Sequence, residues 1–416
     1  MMSRWCAYVE KVFGLSEALS LLKDSREEAR IPTSSVWLSV LAMFATRKGS
    51  LNAIESDLRM PKRLETWIGK CKPSADTLAR VYSQMETEGL REMLCQINHQ
   101  VKRNKRLVLP KGERLRWLGV DGHELYASRR RCCSMCSQRR VTVNGQEVVE
   151  YYHRAVSGHL IGFEIGLPLD FELVLPGEGE TVAARRMLER VFRNYPRFFE
   201  GVVGDALYFD YPTFAFCRSH NKHVIAVVKK HDSVLLNDAK GLMTLMEPVQ
   251  WEVRHGVIRA WDVEDLNTFA KGELPLRVLH TEETLTERHR VAGRWQENTT
   301  VHNWYWATTV PRESMPTQTL WKTAHSRWDI ENDQFNTLST HWSMDHCFTH
   351  DPTAIVNFIL TLFVAHVLLQ SFYLGNLKPP LRRKLTLIAL AAELYLGLAA
   401  TGPPAPWIDS KTGCPP

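Results

Sequence analysis

Three acids stand where a metal site for phosphodiester chemistry would need them. Asp121 closes the run Arg116-Trp-Leu-Gly-Val-Asp-Gly122, Asp205 closes Gly201-Val-Val-Gly-Asp205, and Glu331 lies in Arg327-Trp-Asp-Ile-Glu-Asn332. The first two end short apolar runs that read as strands, and the third falls on a helical stretch rich in aromatics. A carboxylate in apolar surroundings is costly unless something pairs with it. Divalent cations held by oxygen ligands are suitable partners, and paired cations are what phosphoryl transfer uses.

On a regular helix, Trp328, Phe335, Leu338 and Trp342 share the face of Glu331, whereas Asp329 and Asp333 point elsewhere and read as solvated. Arg327 lies one turn before Glu331. A salt bridge between them is the plain alternative, but cation before acid is the weaker order and is worth only a few tenths of a kcal/mol. A metal ligand on a rigid helix accounts better for an acid on an apolar face. A second cluster, Cys132-Cys-Ser-Met-Cys136, contains one C-x2-C pair, Cys133 and Cys136. A structural Zn²⁺ would need two more ligands, for which His123 and His153 are candidates. Reduced thiols in a basic loop are the preferred reading. His346 and His350 stand four apart, a spacing that fits a helix-face metal pair, but capping or DNA contact is the preferred reading.

The chain has 416 residues, 44% hydrophobic and 24% charged, which suits a globular protein of two or three domains. Its net charge is only +6, but residues 102–140 hold twelve Lys/Arg against three acids. That basic zone surrounds Asp121 and reads as a footprint for a polyanion, with Arg129, Arg130 and Arg131 at its most concentrated point. Nine scattered cysteines and an N-terminus without an apolar signal run point to a reducing, cytoplasmic, nucleoid-associated setting. Residues 354–373 carry no formal charge, yet Asn357, Thr361, His366 and Gln370 are spread around the helix. A buried core helix is expected there, and no membrane partner.

Residues 1–105 read as a helical module for DNA-end binding or dimerisation, with a helix start at Ser74-Ala-Asp-Thr-Leu and a basic hinge at 102–106. The pattern then changes. Strands are expected at 114–121, 150–161 and 162–174, a helix at 181–195, a strand at 201–205, a helix near 211–219 and a strand at 223–229. That order of elements matches an α/β, RNase H-like core, whose first part spans 106–241. A β-rich insertion follows at 242–316. The end of the core and C-terminal helices occupy 317–400, and a Pro-rich tail at 401–416 is expected to be disordered.

The ordered set Val120-Asp-Gly-His-Glu124, Tyr151-Tyr-His-Arg154, Pro176-Gly-Glu-Gly-Glu180, Asp205-Ala-Leu-Tyr208, Arg327 to Asn332 and Asp345-His-Cys-Phe-Thr-His-Asp351 resembles the DDE transposases of bacterial insertion sequences, in the branch with a β-rich insertion before the glutamate. The resemblance covers roughly 115–375. It implies an RNase H-like fold, Asp121, Asp205 and Glu331 as catalytic metal ligands, and Mg²⁺ as cofactor with Mn²⁺ as a substitute. It further implies double-stranded DNA (element ends and target) as partner, and a homodimer on DNA. Arg327 would contact DNA with the basic loop. The chain departs from related Y-x2-R-x3-E-x6-K patterns: Ala324 and Leu338 stand at the Tyr and Lys positions. Two other readings share the sequence, a transposase-derived DNA-binding protein without catalysis and an RNase H-like nuclease that does not join strands.

Overall fold

Strand β1 (Trp117–Ser128) is the axis around which the rest of the molecule is arranged. In the computed structural model the described residues are all but 61, 63, 230–232, 292–293, 399–403, 410–413 and 416, with the side chains of 233, 271, 289, 291, 294 and 331–333 also outside the description. β1 pairs antiparallel along its whole length with β3 (Gln146–Ile161), and β2 (Ser137–Val143) pairs with the outer half of β3. The inner half of β3 pairs with β4 (Leu167–Val174). On its other edge β1 lies parallel to β5 (Gly201–Gly204), which lies parallel to β6 (His223–Val227).

Parallel neighbours need a crossover. The helices Glu180–Asn194 and Tyr211–Ser219 supply it, between β4 and β5 and between β5 and β6. The order β4-β3-β1-β5-β6, with only the first two pairings antiparallel, is an RNase H-like core. Two details differ from the sequence reading. β1 continues to Ser128, so Asp121 sits within a strand rather than at its end, and β2 is an additional strand. Both belong to a hairpin whose far half carries exposed, charged residues, so no apolar run announces it.

The insertion is sheet. β7 (Val249–Val253), β8 (Gly256–Leu266), β9 (Leu276–Val291) and β10 (Arg294–Thr308) form an antiparallel series, and β10 pairs with β6 through Trp306 to Thr308. One ten-stranded sheet therefore runs from the hairpin of β2 to β7. The Asp262–Arg277 pair, 2.6 Å apart and almost fully buried, and Glu283 tie this sheet to the next helix.

Helix Pro352–Gly375 explains the polar residues in the uncharged stretch. It is long and apolar enough to cross a membrane, but 89% of its most apolar window is buried inside the protein. Asn357 Nδ2 donates to the carbonyls of Tyr82 and Met85, and Thr361 Oγ1 meets Tyr82 Oη and Trp37 Nε1, each at 3.1 Å. Gln370 exchanges two hydrogen bonds with the backbone of Gly166. These bonds satisfy groups that would be costly to bury alone. They join the N-terminal helices Thr33–Ala45 and Ala75–Gln84 to the C-terminal helix, with the Ser74 hydroxyl capping the latter of the two as its sequence suggests. The described part of the tail is packed and not disordered. Trp407 is buried, its Nε1 donates to Trp67 O, and its ring meets Trp67 edge-on. Two apolar rings outweigh the proline-rich composition.

Candidate active site

The register of β1 with β5 places the first two acids. Trp117, Leu118 and Gly119 pair with Gly201, Val202 and Val203, a constant offset that also separates Asp121 from Asp205. Asp121 and Asp205, the latter just after the last residue of β5, stand two residues beyond the last paired positions at the same end of the two strands. Asp121 is 7% exposed. Its Oδ1 accepts from the N–H of Gly122 at 2.9 Å and its Oδ2 from Arg327 Nη1 at 3.3 Å. Asp205 is half-buried and caps the single turn Ala206–Tyr208 by accepting from Leu207 N at 2.7 Å. Each carboxylate is thus held by a backbone N–H, and Asp121 is further paired with Arg327.

Glu331 lies in a π-helical stretch, Ile330–Phe335; its side chain and that of Asp333 lie outside the described residues. The stretch itself is placed by its neighbours. Gly119, Asp121 and His123 share one face of β1. A Cβ on Gly119 would come within 2.2 Å of Ile330 Cδ1, Arg327 reaches Asp121, and the His123 ring lies 4.7 Å from that of Phe335. The backbone of residue 331 therefore passes over the face that carries Asp121. Wide i→i+5 turns are rare and recur at functional sites. The widened turn also alters the face arithmetic of a regular helix: Asp329 is half-buried rather than solvated, and Trp328 packs on Trp304. Glu283, buried on β9, accepts from Trp321 Nε1 at 2.7 Å, His325 Nε2 at 2.8 Å and Thr281 Oγ1 at 2.8 Å, which fixes the helix Thr317–His325 leading into the π turn.

A fourth carboxylate joins the site. Glu180 opens the crossover helix and accepts from Tyr208 Oη at 3.0 Å. Its Oε2 would be 2.1 Å from a Cβ on Gly122, so the carboxylate rests on the backbone beside Asp121. Burial pushes its pKa up; the Tyr208 hydrogen bond opposes this, and the nearby Asp205 charge adds to the rise. Burial and the surrounding acids keep Tyr208 protonated, so its hydroxyl donates. In the sequence, Glu180 reads as an acid favouring a helix start; nothing local points from it to Asp205-Ala-Leu-Tyr208 across the fold. Arg154, on β3, supplies positive charge to Glu180, and its Nε is buried without a hydrogen-bond partner among the described residues.

Asp121, Asp205 and Glu180 are oxygen donors near one end of β1, with the Glu180 carboxyl raised partly by Asp205, but their ligand atoms are not gathered within 4.8 Å of one another. Arg327, assigned to DNA from the sequence, is 8% exposed and turned to Asp121. Arg129, Arg130 and Arg131 are exposed in the loop after β1, with Arg129 Nε 3.4 Å from Glu150. The position of the missing lysine, Leu338, is fully buried.

Away from these acids, Cys133, Cys136 and His153 converge, with ligand atoms within 4.8 Å of one another. His123 does not join them; its Nε2 is 2.6 Å from Asp345 Oδ1. His350 does approach, through Nδ1 at 3.8 Å from Cys136 Sγ, because residues 343–351 form turns and not a helix face.

The family model described as "Transposase DDE domain" matches residues 152–368, just over half of the chain. The match includes Glu180, Asp205 and Glu331 and begins after Asp121. No curated protein matches the chain.

Proposed function

We propose that this chain, which belongs to the transposase DDE domain family, binds the inverted-repeat ends of an insertion element, cuts DNA strands there and joins the resulting 3′ ends to target DNA. The reading rests on the shared offset between β1 and β5, which carried two residues past the paired positions leads from Asp121 to Asp205, and on the π turn that bears Glu331. Asp121, Asp205 and Glu331 would hold Mg²⁺, or Mn²⁺ in its place, with Glu180 in reserve at the edge of the set. Bound there, divalent cations activate the attacking water or 3′-hydroxyl and neutralise charge on the phosphate.

The chain's own residues prepare that site. Leu207 N and Gly122 N each hold one oxygen of their carboxylate, which orients both side chains. Arg327 balances the Asp121 charge in a buried setting where an unpaired carboxylate would be costly. Arg154 and the exposed Arg130 and Arg131 offer positive charge to phosphates. With Leu338 buried, DNA-end contact falls to these arginines. Synapsis of two ends calls for a dimer on DNA.

The test is a cleavage and joining assay on an inverted-repeat end in Mg²⁺, with DNA binding measured in parallel. Asp121→Asn, Asp205→Asn and Glu331→Gln should each abolish both reactions and leave binding intact. Asp329→Asn and Asp333→Asn should retain most activity. Normal cutting by Glu331→Gln would remove that residue from the site. Cutting without joining would favour a nuclease, and binding without cutting by the unaltered protein would favour a DNA-binding derivative.

A further inference from the structure

We propose that Cys133, Cys136, His153 and His350 form a structural zinc site that clamps the arginine-bearing loop after β1 to the start of the helix Pro352–Gly375. The distances among Cys133, Cys136 and His153 are those of three corners of a tetrahedral S₂N₂ centre, and His350 stands just outside them as the fourth. With Zn–S near ~2.3 Å and Zn–N near ~2.0 Å, tetrahedral angles put two sulfurs about 3.7 Å apart and sulfur and nitrogen about 3.5 Å apart. The two Sγ atoms are 3.6 Å apart, and His153 Nε2 is 3.5 Å from Cys133 Sγ and 3.3 Å from Cys136 Sγ. His350 Nδ1 stands at the edge of the group, 3.8 Å from Cys136 Sγ.

Two further features fit a metal rather than a pair of thiols. The Cys-x2-Cys turn is closed by Cys136 N donating to Cys133 O at 3.2 Å, and Cys133 N points at Cys136 Sγ at 3.3 Å. The ring of Tyr126 packs edge-on against both imidazoles, at 5.8 and 5.4 Å, and its hydroxyl donates to Thr349 O at 2.7 Å, so the segment bearing His350 is held against the hairpin. Four protein ligands would leave no open position, which marks a structural centre and not a catalytic one.

The four ligands come from three separate parts of the chain: the loop between β1 and β2, β3, and the residue before Asp351, whose side chain caps the helix Pro352–Gly375 through Ala354 N at 2.9 Å. Arg131 lies two residues before Cys133, and its charge is felt at His350. The site would therefore determine where the exposed arginines stand relative to Asp121, which begins the same arm of β1.

Metal content of the purified full chain tests this without any DNA reaction. The unaltered protein and Cys132→Ser should each carry one zinc per chain, and Cys136→Ser and His350→Ala should lose it. Cobalt added to the metal-free protein should give the visible absorption of a tetrahedral thiolate centre. Because Cys136→Ser could fail to fold, thiol alkylation is followed on the unaltered protein, titrated from the metal-free state with Zn²⁺ alone. One equivalent should protect two thiols, identified as Cys133 and Cys136. Alkylation of these two at the same rate with and without Zn²⁺, or full zinc retention by both ligand variants, would overturn the proposal. Failure here leaves the acid site untouched, since loss of cleavage in the Asp121 and Asp205 variants is read separately.

Discussion

Gly122→Ala should separate the geometry of the acid site from the stability of the fold. The added Cβ would stand 2.1 Å from Glu180 Oε2 and 2.4 Å from Cδ, against 3.4 Å for ordinary contact, so the carboxylate must retreat by about an ångström. It can do so, because it is the far end of a side chain on the first residue of a helix. The retreat breaks the Tyr208 hydrogen bond, a loss of about 1.5–3 kcal/mol for a bond to a charged group. Release of a carboxyl whose burial is itself unfavourable offsets part of that. Stability should thus fall by no more than about 2 kcal/mol, within the ordinary range for overpacking. Activity should fall further, on the order of 10²-fold, because a displacement of this size misaligns the group next to Asp121. The assay pairs thermal melts with cleavage rates in Mg²⁺ for Gly122→Ala, Glu180→Ala and the double variant. In the double variant the methyl has nothing to displace, so its stability cost should vanish. A Gly122→Ala protein that cuts at the unaltered rate would refute the placement of Glu180. So would a methyl that costs as much stability in the Glu180→Ala background as in the unaltered protein.

Burial raises the Glu180 pKa above its ordinary 4.5, so the group's contribution to stability is complete below that value and is lost as pH rises through the raised one. Glu180→Gln should therefore flatten the metal-free melting profile between pH 4.5 and neutrality, and an unchanged profile would count against a buried, cation-deficient carboxyl. Replacing Arg130 and Arg131 together by Ala should lower the log–log salt slope of DNA binding by about two units, at ~0.9 for each phosphate no longer neutralised. Arg129→Ala should change it less because Glu150 already neutralises that side chain.

Legibility in the sequence follows the range of the interactions involved. The strands before Asp121 and Asp205 are readable because each is a short apolar run that only a buried strand explains. The helix start at Ser74 is readable because a cap acts within three residues. The polar residues of 354–373 mark a core helix correctly, though nothing nearby in sequence names their partners, Tyr82 and Gly166 among them. Glu180 escapes notice because its partners, Gly122 and Tyr208, are assembled by three separate strands and turns. The π turn at 330–335 escapes because apolar periodicity presumes about 3.6 residues per turn. His350 is legible only as a possible helix-face partner of His346, because its approach to Cys136 spans 214 residues and depends on a turn. Trp407 is hidden by its proline-rich neighbours, although a tryptophan is among the residues most able to anchor a segment that composition alone would leave loose.

The bonds of Asn357 and Thr361 to the N-terminal helices have a bearing on how the protein is made. Tyr82 and Met85 emerge from the ribosome long before Asn357, which satisfies their carbonyls across separations of 275 and 272 residues. At ~5–20 residues per second, the helices around Trp37 and Tyr82 would wait roughly 15 to 55 s for the helix that covers them. During that interval their apolar faces can meet only solvent, chaperones or other nascent chains. A message broken after the β-rich insertion would yield a chain whose N-terminal module never closes. Such a fragment would be cleared or would aggregate. Only a chain translated through residue 375 would be a finished molecule.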